Sequence, residues 1–211
     1  MTAQRTYGGV SADERRAQRR TALLDAALEL IGTHGFAKLT VSGLCAQAGL
    51  NERYYYESFD GRDAVLTAVI DRIAAEMAVA IVEALRTAPD DSRAKAHAAI
   101  TAGIHLLTDD PRKARVSFID GLATAELRTR ITDTARVFSR LVAAEGIGFY
   151  GIADAQVDPA VDFRATYLVG GLIHTLTGWI QGELPMTRDE LVDHTTDVFV
   201  LLGEDLAGRE R

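Results

Sequence analysis

Apolar residues recur along this chain at helical rather than strand spacing. Leu24, Ala27, Leu28 and Ile31 fall three and four apart, the interval that lines one face of a helix. Ser11-Ala-Asp-Glu14 has the spacing of a capping box, in which hydroxyl and carboxylate each satisfy a backbone N–H of the first turn. The helix that starts there runs to Gly32 and is closed by His34-Gly35. Thr40 suits the N-cap of a second helix, on which Val41, Leu44, Cys45 and Ala48 form one apolar stripe, and Gly49 stops it. Asn51 suits the N-cap of a third helix, ending at Asp60-Gly61. A fourth starts near Arg62, turns Leu66, Val69, Ile70 and Ile73 inward, and runs to about Arg86. Further helices are expected over 91–108, 111–119, 121–145, 159–182 and 187–206. The breakers between them are Pro89-Asp-Asp, Asp109-Asp-Pro111, the glycine-rich stretch 146–151 with Asp158-Pro159, and Gly182-Glu-Leu-Pro185. The expected fold is all-α with about nine helices: an arm at 1–10, a small helical domain at 11–61 and a larger one at 62–211.

Composition agrees with a globular helical protein, with 47% hydrophobic and 25% charged residues and only 4 prolines among 211. The lone Cys45 excludes an internal disulfide and suits a reducing cytoplasm. The arginines near the N-terminus are followed by an apolar stretch broken by Asp25 and Glu29, which is not an export signal. The longest uncharged run, Ala165 to Gly182, holds 18 residues including His174 and Gln181, so no membrane partner is expected. The formal charge is −7, but it is uneven: residues 1–62 carry a net +1 and the remainder −8. A small polyanion-binding part on an acidic body fits that asymmetry.

Residues 40–59 hold the chemistry. Two short helices meet at Gly49-Leu50, and Tyr55 and Phe59, four apart, can turn inward to share a core with the first helix. That is the plan of a helix-turn-helix, whose second helix enters the major groove. Glu52, Arg53, Tyr54, Tyr56 and Ser58 are then left on outer or flanking faces. Arg53 suits guanine O6/N7 and Glu52 suits cytosine N4, while the tyrosine and serine hydroxyls suit phosphates. Asn51, at the head of this helix, joins the candidates. Arg62, in the first turn of the following helix, is placed to grip a phosphate.

The run Thr40-Val-Ser-Gly-Leu-Cys-Ala-Gln-Ala-Gly-Leu-Asn-Glu-Arg-Tyr-Tyr-Tyr-Glu-Ser-Phe-Asp-Gly-Arg62 closely resembles the DNA-binding signature of the TetR (tetracycline-repressor) family. Ala26-Ala-Leu-Glu-Leu-Ile-Gly-Thr-His-Gly-Phe36 is similar to that family's first helix and its end. The resemblance implies phosphate contacts at Thr40, Tyr54, Tyr56 and Arg62, and base-facing positions at Ser42, Glu52 and Arg53. It departs at Ser42 and Glu52, where members often carry a basic residue, and Glu57 adds a carboxylate close to the DNA. It implies a cytoplasmic homodimer that leaves a palindromic double-stranded operator, as a repressor does, when a small-molecule effector binds the domain at 62–211.

Two further residue sets follow. Leu191, Thr195, Val198, Phe199, Leu202 and Leu206 form an apolar stripe on the last helix, and Gly170 and Gly171 on the helix before it permit close backbone approach. These are the expected dimer interface. His97, Thr101 and His105 line one side of one helix, and Phe118, Tyr167, His174 and Trp179 are candidates to face them around a mostly apolar ligand pocket. Gly146-Ile-Gly-Phe-Tyr-Gly151 matches a dinucleotide-binding pattern, but with a helix before it and no sheet around it a connecting loop is the better reading. The five histidines lack the spacing of a zinc site. No nucleophile elbow or phosphate loop is present, so neither an enzyme nor a cofactor is expected. The alternative is a helical small-molecule-binding protein or an all-helical enzyme, which would have no use for outward Arg53, Tyr54, Tyr56 and Arg62.

Overall fold

The computed structural model describes residues 11–122, 125–150 and 159–209, and every regular element among them is helical. In chain order these are α1 (Ala12–His34), α2 (Val41–Ala48), α3 (Glu52–Tyr56), α4 (Arg62–Thr87), α5 (Ser92–Thr108), α6 (Pro111–Phe118), α7 (Ala125–Tyr150), α8 (Pro159–Ile180) and α9 (Arg188–Arg209). Single 3-10 turns occupy Phe36–Lys38 and Asp120–Leu122. The arm expected at 1–10 lies outside the described residues.

Side chains fix several of the helix starts. At α1, Glu14 N–H donates to Ser11 Oγ at 3.0 Å and Ser11 N–H donates to Glu14 Oε2 at 2.6 Å. The same reciprocal pair opens α9, between Thr187 and Glu190 at 2.8 and 3.2 Å. These backbone bonds to the Glu14 and Glu190 carboxylates hold both below the usual carboxylate range. Asp91 caps α5 by accepting from Ala94 N–H at 2.8 Å.

Two elements differ from expectation. Helix α3 stops at Tyr56 rather than reaching Asp60. Ser58 N–H bonds back three residues to the Tyr55 carbonyl at 2.9 Å and its hydroxyl donates to the Tyr54 carbonyl at 2.9 Å, winding the chain into a tight turn. Helix α7 continues through Gly146 and Gly148 to Tyr150, where the sequence suggested a loop. Each helical glycine costs about 1 kcal/mol relative to alanine. Ile147 and Tyr150, both partly buried, pack against Ala143, Val161 and Ala165, and this contact offsets the glycines.

By packing, the chain divides into two compact units, Met1–Arg72 with Pro111–Ala123, and Ile73–Asp110 with Thr124–Arg211. The border drawn at 61/62 from the sequence falls inside the first unit, which also takes in α6. In that unit α1 packs on α2, α3 and α6. Leu23, Ala27, Ile31, Leu44, Tyr55, Val65, Leu66 and Val69 make its buried core. The α1–α6 contact requires Gly32: a Cβ there would stand 2.4 Å from Arg112 Cβ and 2.9 Å from its Cα. Beside it, Arg112 Nη1 donates to the Glu29 carboxylate.

In the second unit α5 packs on α9, α7 on α8, and α8 on α9. Ile100, Ile104 and Leu107 of α5 and Leu191, Val192 and Thr196 of α9 are buried. Ion pairs from Arg93 to Asp197 at 2.6 Å and from Arg188 to Asp109 at 2.5 Å also join the unit's parts. Arg164 of α8 donates to the Leu202 carbonyl at 2.7 Å and to Asp205 at 2.6 Å, tying α8 to α9. Among the described residues no helix is long and apolar enough to cross a membrane.

Candidate nucleic-acid interface

Helices α2 and α3 are set by a short chain of local causes. Thr40 Oγ1 accepts from Gly43 N–H at 3.1 Å and fixes the start of α2. Gly49 ends it in the left-handed region, φ +66° and ψ 30°, where a side chain would be strained. Leu50 N–H then donates to the Cys45 carbonyl at 2.9 Å and turns the chain into α3. Asn51 stands at the N-cap with extended backbone, but its side chain makes no capping bond.

Tyr55 and Phe59 point inward, 1% and 5% exposed, with ring centroids 6.0 Å apart. Burial pushes the Tyr55 phenol and the neighbouring Cys45 thiol above their ordinary pKa values, so both stay protonated in this core. Asn51, Glu52, Arg53, Tyr56 and Glu57 are exposed, and Tyr54 and Ser58 are half-buried. Thr40, Ser42 and Arg62 are exposed as well, so the sequence candidates all lie on or near the surface of one unit.

Five residues are too few for a helix that is stable alone. Arginines of α1 hold this one in place. Arg16 Nη2 donates to the Glu57 carbonyl at 2.9 Å, at the electronegative end of α3. The Arg19 guanidinium lies 4.3 Å from the Tyr54 ring centroid and that of Arg20 lies 5.0 Å from the Phe59 centroid. Arg62 stands 5.1 Å from the Phe36 ring centroid and donates to the Phe36 carbonyl at 3.3 Å. Phe36 N–H in turn donates to Asp120 Oδ1 at 2.9 Å, and Arg115 pairs with the other oxygen of Asp120 at 3.3 Å. The sequence reading did not single out Arg16, Arg19, Arg20 or Asp120. The i, i+3 and i+4 spacing of the three arginines on α1 was visible, but their partners Glu57, Tyr54 and Phe59 lie far along the chain, as Phe36 does from Asp120.

The other candidate residues sit in separate places. His97 pairs with Asp193 at 3.5 Å and stands 3.5 Å from Thr101 Oγ1. His105 lies 3.9 Å from Asp109. Phe118 belongs to the first compact unit and the rest to the second. Trp179 Nε1 donates to the Met186 carbonyl at 2.8 Å, closing the α8–α9 turn. Tyr167 is 64% exposed and stacks on Phe163, their centroids 6.2 Å apart. The two lie in a shallow groove of about 450 Å³ along α8, lined also by Pro159, Asp162 and Thr166. His174 is exposed on α8. Thus His97 and Thr101 meet, whereas Tyr167 and Trp179 are engaged elsewhere.

On α9, Leu191 is buried in its own chain and has no surface left to offer a partner. Thr195, Phe199 and Leu202 are half-buried, Val198 is exposed, and the side chain of Leu206 lies outside the described residues. The exposed apolar residues are Val198 and Leu201 on α9 and Phe163 and Tyr167 on α8, where Gly170 and Gly171 have open space beside them. Phe163 and Leu201 were missed. Phe163-x-x-x-Tyr167, lying off the inward stripe Val161-Ala165-Leu168, was the available signal.

Residues 23–69 match the family of bacterial regulatory proteins of the tetR type. No curated protein matches the chain in sequence. Solved structures do match its fold. The fatty acid degradation regulator FadR from Bacillus halodurans superposes with a TM-score of 0.70 at 20% identity, over 88% of this chain and 94% of its own. FadR from Bacillus subtilis, solved in complex with stearoyl-CoA, gives 0.67 at 22% identity over 86% and 96%. A tetR-family transcriptional regulator from Streptomyces coelicolor gives 0.70 at 13% identity over 92% and 84%.

Proposed function

From the premise that this chain is of the TetR family by its N-terminal domain, we propose that it is a ligand-responsive repressor that binds a palindromic operator as a homodimer. One observation carries the DNA-binding part. Tyr55 and Phe59 are consumed by the core, while Arg53, Tyr56 and Arg62 remain exposed and Tyr54 half-exposed. Arg53 reads base edges. Thr40, Tyr54, Tyr56 and Arg62 hold phosphates, and Asn51, Glu52, Ser42 and Ser58 complete the contact surface.

A two-fold dimer presents two copies of α3, and a palindrome matches that symmetry. The apolar residues exposed on α8 and α9 support it, because a single chain leaves Phe163, Tyr167, Val198 and Leu201 in water. A second copy would cover them, with Gly170 and Gly171 letting backbones approach closely.

The effector is a small molecule held in the second unit, with Thr101 and His105, half-buried on α5, among its contacts. The stearoyl-CoA held by the Bacillus subtilis regulator of the same fold supports a ligand that carries a long apolar chain. An effector shifts occupancy only if it prefers the DNA-incompetent state. The test is a gel shift with DNA from the region upstream of the chain's own gene, repeated with compounds that stabilise the protein against heat. A retarded band that a stabilising compound releases is expected. Binding that no such compound alters would sink the effector part, and no retarded band would sink the whole reading.

A further inference from the structure

Helix α3 carries an ion pair on the face that matters most for DNA. At about 100° per residue, Arg53 and Glu57 project roughly opposite the buried Tyr55, on the side farthest from the core. Tyr54 and Tyr56 flank that side. The Arg53 Nε–H donates to Glu57 Oε1 at 2.8 Å, an i,i+4 pair with side chains 81% and 38% exposed. The glutamate bond, with its charge, holds the guanidinium above its ordinary pKa. Glu57 is fixed in turn through its backbone, since its carbonyl receives Arg16. Among the described residues the two terminal nitrogens of Arg53 bond to nothing else.

This arrangement divides the guanidinium. Its Nε edge is occupied by a carboxylate, and the Nη fork remains, which is the part that takes guanine O6 and N7 together. The carboxylate also works against the wrong contact, because a phosphate approaching Arg53 must approach Glu57 as well. With Glu52 beside them, α3 carries no net positive charge, so attraction to the DNA backbone rests on residues around it.

Resting on the DNA-binding reading above, we propose that Glu57 is a specificity-determining residue of the recognition helix: it holds Arg53 for guanine and penalises phosphate. An exposed pair of this kind contributes little to stability, so its removal leaves the fold intact. Its effect appears in discrimination.

The test uses the full chain and anisotropy titrations at several salt concentrations. The duplexes are an operator selected by the wild type, its single-base-pair variants and a scrambled sequence. Glu57→Gln should bind the scrambled duplex more tightly, by about threefold to tenfold, with a salt dependence steeper by about one ion. Its preference for guanine at one base pair of each half-site should fall toward that of Arg53→Ala. A variant that matches the wild type on all duplexes overturns the proposal. So does one that loses affinity equally for operator and scrambled DNA, which would mark Glu57 as merely structural. If the wild type itself prefers no sequence, the DNA-binding reading fails first and this inference with it.

Discussion

Arg53 and Arg62 are both exposed cations beside the same short helix, yet their surroundings separate their roles. Arg62 is braced on the Phe36 ring and carbonyl at the start of α4, which suits a fixed phosphate grip. Arg53 stands on the outermost face of α3. Arg62→Ala should therefore weaken binding to every duplex and shallow the salt dependence by about one ion. Arg53→Ala should cost about 1–3 kcal/mol on the operator and relax preference at one base pair. Titrations over a set of single-base variants distinguish the two, and uniform loss from both would remove Arg53 from base reading. At this scale the inward pair was legible, because three consecutive tyrosines on so short a helix cannot all be buried and Phe59 picks out Tyr55. The grip of Arg16, Arg19 and Arg20 was not legible, since sequence spacing shows which residues share a face of α1 but not what stands opposite.

The helices themselves were largely legible from apolar spacing and caps, and the two misses have separate causes: Ser58 bonds back to the Tyr54 and Tyr55 carbonyls and ends α3 early, and α7 runs past its glycines. Glycine was read as punctuation at 146–151, whereas Ile147 and Tyr150 give the C-terminal turn of α7 enough buried surface to continue. The same residue type thus has opposite meanings at two sites. Gly148→Ala adds a methyl group with nothing within 4 Å and should stabilise by about 0.5–1 kcal/mol. Gly32→Ala drives a methyl group into the backbone of Arg112 and should destabilise by about 1–3 kcal/mol. Thermal denaturation of the two variants checks the pair: opposite shifts, each about 2–4 °C per kcal/mol, are expected. A tolerated Gly32→Ala would mean that the α1–α6 contact is looser than its geometry.

For the molecule as a whole, the apolar stripe on α9 was legible but its register was not, because one helix serves two faces. Leu191, Val192 and Thr196 face the chain's own core, and Val198 and Leu201 remain outside. Leu201→Asp puts a charge where a single chain exposes 67% of the leucine, so the chain should keep its circular dichroism and heat stability. If the face is the dimer seam, sedimentation should shift from dimer to monomer and operator affinity should fall steeply, since half of the contacts are lost with the partner. An unchanged dimer would place the seam elsewhere. The central claim is that this chain reads DNA through paired copies of α3. It is tested most directly by exposing the wild-type protein to random-sequence duplexes, sequencing those retained and footprinting the winner. The account predicts an inverted repeat with two protected half-sites one helical turn apart or a multiple of it, at about 34–36 Å per turn. Retained duplexes with no common sequence, or a single unrepeated site, would contradict it.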